Sequence, residues 1–282
     1  MSVFGKCIGG ALGWAIGGPL GGIIGVAIGH EFDRKKKPIQ KIESDSGMNN
    51  GSSPQRQMTF FVAVFSMLGK MANADGKITE DESRAVENFI ENELKLSKPD
   101  HDFAMRIFYA AASSAEEFDK FASQFYECFR HDFQMIEMMM DILVRLAYAD
   151  NVLSSAEEQF IARAAMCFSY PAANVAALKT KYRQSASQQG YTGQQSYQDS
   201  SYHDNHAAGN SSESLEVAYS ILGCNIGDPD DVIKSKYKKL VKEYHPDVIA
   251  SKGLPEEFAE FANNKFRQIQ SAYETVKKAR GL

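Results

Sequence analysis

The chain has 282 residues, 44% hydrophobic and 24% charged, with a formal net charge of −5 at pH 7. That apolar share supports packed cores in one or two domains, and the acidic balance excludes general adhesion to nucleic acid or acidic lipid as a property of the whole molecule. Cys7, Cys128, Cys167 and Cys224 stand apart with no CxxC pair, which argues against both a disulfide framework and a zinc site.

Residues 7–29 carry no charged side chain and lie between Lys6 and His30. As a helix they reach roughly 34 Å, enough to cross a bilayer core. Gly5, Gly9, Gly13, Gly17, Gly21, Gly25 and Gly29 recur every four residues. A repeated GxxxG ridge of this kind lets two membrane helices approach backbone to backbone. The expectation is a single transmembrane helix over 7–29, kinked near Pro19, surrounded by membrane lipid and forming a homodimer through Gly9, Gly13, Gly17, Gly21 and Gly25. Arg34, Lys35, Lys36, Lys37 and Lys41 follow the span, whereas only Lys6 and the amino terminus precede it. The positive-inside rule then places residues 1–6 on the far side of the membrane and the C-terminal body in the cytoplasm. A cleaved signal peptide and a soluble glycine-rich loop are the competing readings; the apolar run is long for the first and the flanking charge sits on its wrong side. Residues 30–55 form a basic juxtamembrane segment and a polar linker.

Residues 56–183 show helical periodicity throughout and no alternating strand pattern, so they predict an all-α domain. Within it, the segment from Ala72 (ANADGKITEDES) matches the segment from Ala147 (AYADNVLSSAEE). Gly76 and Asn151 suit the left-handed end of a helix, and Thr79-x-x-Glu82 and Ser154-x-x-Glu157 are capping boxes that start the next one. The unit is a repeated helix-loop-helix. Met135, Met138, Met139 and Met140 form a run that fits either the core or an adaptable groove, core being the ordinary case. His101 and His131 each adjoin an aspartate, but no nucleophile or third partner accompanies them.

Residues 184–212 are rich in Gln, Ser, Gly, Asn and Tyr with few aliphatics, the composition of a disordered tether that spans roughly 30 Å root-mean-square. The closing domain, 213–282, begins with a short helix carrying Leu215, Ala218, Tyr219 and Leu222 on one face. In DPDDVIKSKYKKLVKEYHPD, residues 228–247, Ile233, Tyr237, Leu240, Val241 and Tyr244 make the next apolar stripe. Lys234, Lys238, Lys239 and Lys242 fall on the opposite face. Pro246 drives His245 out of helical geometry, so the basic helix ends at His245, Pro246 and Asp247. A long third helix carries Phe258, Phe261, Ala262, Phe266, Ile269, Ala272, Tyr273 and Val276 in register.

The His-Pro-Asp tripeptide behind a lysine-faced helix, between two amphipathic helices, resembles a J domain, the module that stimulates ATP hydrolysis by DnaK-type heat-shock chaperones. The resemblance implies an antiparallel helical hairpin in which Lys234, Tyr237, Lys238, Lys239 and Lys242 meet an acidic face of the chaperone. It also implies that Asp247, held by His245 and Pro246, pairs with a chaperone arginine. Val248 departs from the Lys or Arg that usually follows the tripeptide, and one positive contact is absent. Residues 56–183 resemble the TerB-like tellurite-resistance domain, whose acidic loop residues are linked to metal; Asp75 and Asp150 match them. Neither loop alternates oxygen ligands as a calcium loop does, so a structural role is favoured and no cofactor is expected.

The whole order, glycine-ridged anchor, TerB-like bundle, tether and J domain, with IGHEFD after the span and SKGLPEEF between the J helices, resembles the DjlA family of bacterial inner-membrane co-chaperones. That resemblance implies recruitment of a DnaK-type chaperone to the cytoplasmic face of the inner membrane, in envelope signalling or capsule synthesis. No catalytic constellation accompanies the motif, so the chain is expected to be an activator and not an enzyme. A membrane scaffold or metal-responsive sensor acting through the TerB-like domain is the alternative. Nucleic-acid binding through the lysine helix lacks an aromatic platform and is not expected.

Overall fold

The computed structural model describes residues 17–32, 54–149, 153–189 and 211–281, and among them every regular element is helical. The helical domain is organised around α2 (Pro54–Ala72), whose residues from Met58 to Gly69 are all buried. A helix apolar on every side belongs in a core rather than on a surface. It is enclosed by α4 (Lys98–Ser113), α5 (Phe118–Phe129) and α6 (Phe133–Ala147). The closest approach is at Gly69, where a Cβ would lie 2.2 Å from the Phe108 carbonyl oxygen of α4. Phe60 meets Phe125 and Phe129 edge-on at centroid distances of 5.9 Å, and such pairs add about 0.5–1.5 kcal/mol beyond area burial.

Both repeat units start their second helix as the sequence predicts. Thr79 and Glu82 cap α3 (Glu80–Asn88) reciprocally, and Ser154 and Glu157 do the same for α7 (Ser155–Cys167). Helix α3 runs into a π-helical stretch, Phe89–Leu94, which ends at Lys95 in the left-handed conformation. The methionine run is core: Met135, Met138, Met139 and Met140 are all buried in α6. Helix α8 (Ala172–Gln189) continues beyond residue 183, where the domain was expected to end.

At the N-terminus the geometry differs from the expected continuous span. Gly17 and Gly18 both have φ of +58°, so the right-handed helix α1 (Gly18–Phe32) starts there. Leu20, Ile23, Ile24 and Ala27 of α1 are buried, and the helix packs on α2, α4 and α5. The Gln124 side chain accepts the Leu20 N–H at 3.0 Å and donates to the Gly17 carbonyl at 2.9 Å. Among the described residues no helix is long and apolar enough to cross a membrane. Helix α1, 15 residues long from its start at the left-handed Gly17 and Gly18, is shorter than a span, and its apolar side is covered by protein. Of the proposed ridge, Gly9 and Gly13 lie outside the described residues; Gly21 is buried and Gly25 is exposed.

The closing module consists of α9 (Ser211–Ile221), α10 (Asp230–Glu243), the short α11 (Pro246–Ser251), a 3-10 turn over Glu256–Phe258 and α12 (Ala259–Arg280). Helices α9, α10 and α11 all pack on α12. The apolar stripes anticipated for the three long helices form this small core, with Ala218, Tyr219, Leu222, Ile233, Tyr244, Ile269, Ala272 and Val276 buried. Tyr237 and Tyr273 stack at 3.9 Å with an interplanar angle of 4°. Arg280 locks the far end by donating to the Tyr219 hydroxyl at 2.5 Å and the Asp230 carboxylate at 2.8 Å.

Candidate functional site

The site is assembled at the C-terminal end of α10. Lys238, Lys239 and Lys242 are exposed on one face, and Lys234 is half-buried at its margin. Lys236, on the turn between them, points inward, donating to the Gly223 carbonyl at 2.5 Å and approaching Asp228 at 3.3 Å. Tyr237 belongs to the packed side through its stack on Tyr273, so its contribution to the outer face is the ring edge left by that contact.

His245 does more than stop α10. Its backbone, at φ −59° and ψ 134°, turns the chain, and Pro246 opens α11 at the first helical position, where a missing N–H costs nothing. The His245 Nδ1 accepts the Asp247 N–H at 3.3 Å, and the Asp247 carboxylate lies 3.7 Å from the same ring nitrogen. The imidazole meets Phe266 of α12 edge-on at 6.0 Å. Asp247 remains 91% exposed and His245 50% exposed. The result is an exposed carboxylate held by a capped turn at the end of a cationic helix. Val248 follows with its N–H bonded to the His245 carbonyl, inside the turn.

One side of this turn is anchored to the helical domain. Tyr244, immediately before His245, is buried, and its hydroxyl donates to Glu137 of α6. Burial and the nearby Glu137 carboxylate push this phenol far above its usual range, so it stays protonated and can donate. Lys265 of α12 reaches Glu137 at 3.1 Å, with the two side chains 13% and 17% exposed. Burial opposes the charge on Lys265, but Glu137 and Asp141 outweigh it and hold the ammonium above the ordinary lysine range. Burial likewise opposes the charge of Asp141, yet Lys265 and Lys181 keep its carboxyl below the usual carboxylate range. None of Glu137, Tyr244, Lys265 and Phe258 was marked as functional by sequence reasoning, since each fits an ordinary amphipathic stripe or charged face.

Asp75 is exposed, and its side chain accepts the Lys77 N–H at 3.2 Å, a loop-closing bond. Asp150 lies outside the described residues, and no cluster of three or more metal-ligating side chains occurs among the described ones. His101 contacts Asp102 at 3.2 Å and Glu91 at 3.9 Å without a nucleophile nearby, and His131 is exposed.

Three family models match parts of the chain. Residues 217–280 match the DnaJ domain, residues 61–180 match the tellurite resistance protein TerB, and residues 1–50 match the co-chaperone DjlA transmembrane domain. The chain is 30% identical to the co-chaperone protein DjlA of Vibrio vulnificus over 288 residues, covering 100% of both. It is also 30% identical to that of Haemophilus ducreyi over 261 residues, covering 90% of both, and 29% identical to that of Vibrio cholerae over 295 residues. No solved structure matches. A J domain implies a DnaK-type partner, and a co-chaperone is a regulator rather than an enzyme. With a J module, a TerB-like bundle and a DjlA-type N-terminal segment in one full-length match, the chain belongs to the DjlA family of co-chaperones.

Proposed function

We propose that this chain stimulates the ATPase of a DnaK-type chaperone and recruits it to the cytoplasmic face of the inner membrane. The observation that carries the reading is the tip: Asp247 exposed at the end of a lysine-faced helix, with its backbone N–H held by His245. Lys238, Lys239 and Lys242 steer the module onto an acidic partner surface, and Asp247 accepts a charge-assisted bond from a partner arginine. In this reading the partner's ATP is cleaved in the partner, and the chain acts as its activator.

Anchorage rests on the match of residues 1–50 to a transmembrane domain and on the uncharged run of residues 7–29. Insertion requires α1 to leave α2, α4 and α5, exchanging the protein cover of Leu20, Ile23 and Ile24 for lipid. The basic residues after the span favour a cytoplasmic body, and the four-residue glycine repeat favours a dimer. A role in envelope signalling or capsule synthesis belongs to the same reading.

The test is steady-state ATP hydrolysis by a DnaK-type chaperone with the full chain, wild type against His245→Gln. Stimulation by the wild type and its loss in the variant are expected. Absent stimulation by the wild type, or equal stimulation by both, would overturn the reading.

A further inference from the structure

In the structure the J module rests on the helical domain through groups that a free module would leave in water. Phe258, fully buried, packs edge-on against Phe60 at 5.2 Å and Phe61 at 6.2 Å. Phe261 meets Phe89 of the π-helical stretch at 6.3 Å. Arg56 donates twice to the Lys252 carbonyl, at 3.3 and 3.1 Å, and also reaches the Cys128 carbonyl at 2.9 Å and Asp132 at 2.6 Å. Gly253 permits this approach: its φ is +97°, and a Cβ there would lie 2.9 Å from the Arg56 Cβ. Lys252 further donates to Gln134 of α6.

The charges at the centre balance across the two domains. Glu93, Glu137 and Asp141 face Arg145, Lys181 and Lys265, with ion pairs at 2.6 Å (Arg145 to Glu93), 3.0 Å (Lys181 to Asp141) and 3.1 Å (Lys265 to Glu137). Only Lys265 comes from the J module. Without it this partly buried cluster holds one more acid than base, and without Glu137 the Lys265 ammonium and Tyr244 hydroxyl lose their partner. Removing one member of a buried pair costs far more than the pair itself contributes.

Seat and working face do not compete. The seat takes the loop after α11, the start of α12 and the Tyr244 hydroxyl, while Lys238, Lys239, Lys242 and Asp247 stay exposed. We propose that the helical domain is the platform on which the J module works: Glu137, through Tyr244 and Lys265, positions the His-Pro-Asp tip so that tip and lysine face are presented outward in one fixed orientation. The inference rests on the J-module reading above, and Glu137 acts as a positioning residue, not as a contact to the chaperone. With Tyr244, the residue before His245, tied to Glu137, the tip meets the partner with its turn already ordered, so it engages at lower concentration.

The contact can be read without any chaperone. Lys95 and Glu260 form an ion pair across the same interface at 3.0 Å, with both side chains accessible to reagent. Zero-length carbodiimide coupling of the full chain in membranes is expected to join Lys95 to Glu260. In a mixture of isotopically labelled and unlabelled chains, the joined peptides are expected to carry one label only. Glu137→Gln should lower the yield about tenfold or more, and raise severalfold the concentration giving half-maximal ATPase stimulation, while the maximal rate changes less. Tyr244→Phe, which removes one hydroxyl and keeps the ring, should act in the same direction, and Glu137→Asp should retain most of the coupling. His245→Gln should abolish stimulation with coupling intact. Coupling without stimulation in the wild type defeats the J-module reading and leaves the seat standing. Stimulation without coupling, coupling mainly between differently labelled chains, or an unchanged half-maximal concentration in both Glu137→Gln and Tyr244→Phe overturns the seat.

Discussion

At the scale of single residues, the interface holds one group that is poorly satisfied. Both carboxylate oxygens of Glu257 are buried with no hydrogen-bond partner. Burial, reinforced by the nearby carboxylates of Asp100 and Glu256, pushes this carboxyl up to about 7. Between the ordinary glutamate value and that raised value the folded protein binds more protons than the unfolded chain. Stability therefore falls as pH rises through this window and is lowest above it. Glu257→Gln is expected to flatten the slope and to raise stability at pH 8 by about 1 kcal/mol, after allowance for the screening of a half-buried group. Denaturant midpoints of the two proteins at pH 5 and pH 8 check this; a variant with the same pH slope as the wild type would exclude Glu257 as its source. The Asp247 carboxylate is left in water beside His245, available for a partner.

Among the elements, α2 and α10 illustrate two ways a helix carries information. Helix α10 is amphipathic, so its stripe and its lysine face follow from 3.6-residue periodicity, and its termination follows from Pro246. Helix α2 is buried on all sides, so periodicity marks it as core without saying which neighbour lies where. Gly69 decides that: only a residue without Cβ admits the Phe108 carbonyl at this distance. Gly69→Ala is expected to cost about 1–3 kcal/mol by forcing α2 and α4 apart, read as a lower denaturant midpoint at unchanged slope. A neutral outcome would mean that the two helices do not approach so closely. The capping boxes of α3 and α7 were legible because Thr79, Glu82, Ser154 and Glu157 satisfy backbone groups three residues away, a purely local bond. The start of α1 at Gly17 and Gly18 was not, because a regular glycine spacing fits a membrane helix as well as a helix start.

For the whole molecule, the J module and the helical domain share one aromatic cluster through Phe258. Amide hydrogen exchange is expected to show α6 and α12 opening together in the wild type and separately in Phe258→Ala, with α12 losing protection first. Separate opening already in the wild type would mean that the two domains are independent. The sequence by itself determined the all-helical class, the repeated helix-loop-helix, the J module and its His-Pro-Asp tip. Each of these depends on spacings of three, four or seven residues, on capping partners a turn away, or on the fixed φ of a proline. Only the tertiary structure decided that the module packs on the helical domain, and that Glu137 meets Tyr244 and Lys265. Those contacts join residues 107 positions or more apart, and a partly buried acid and base look, in sequence, like any two charges on helix faces.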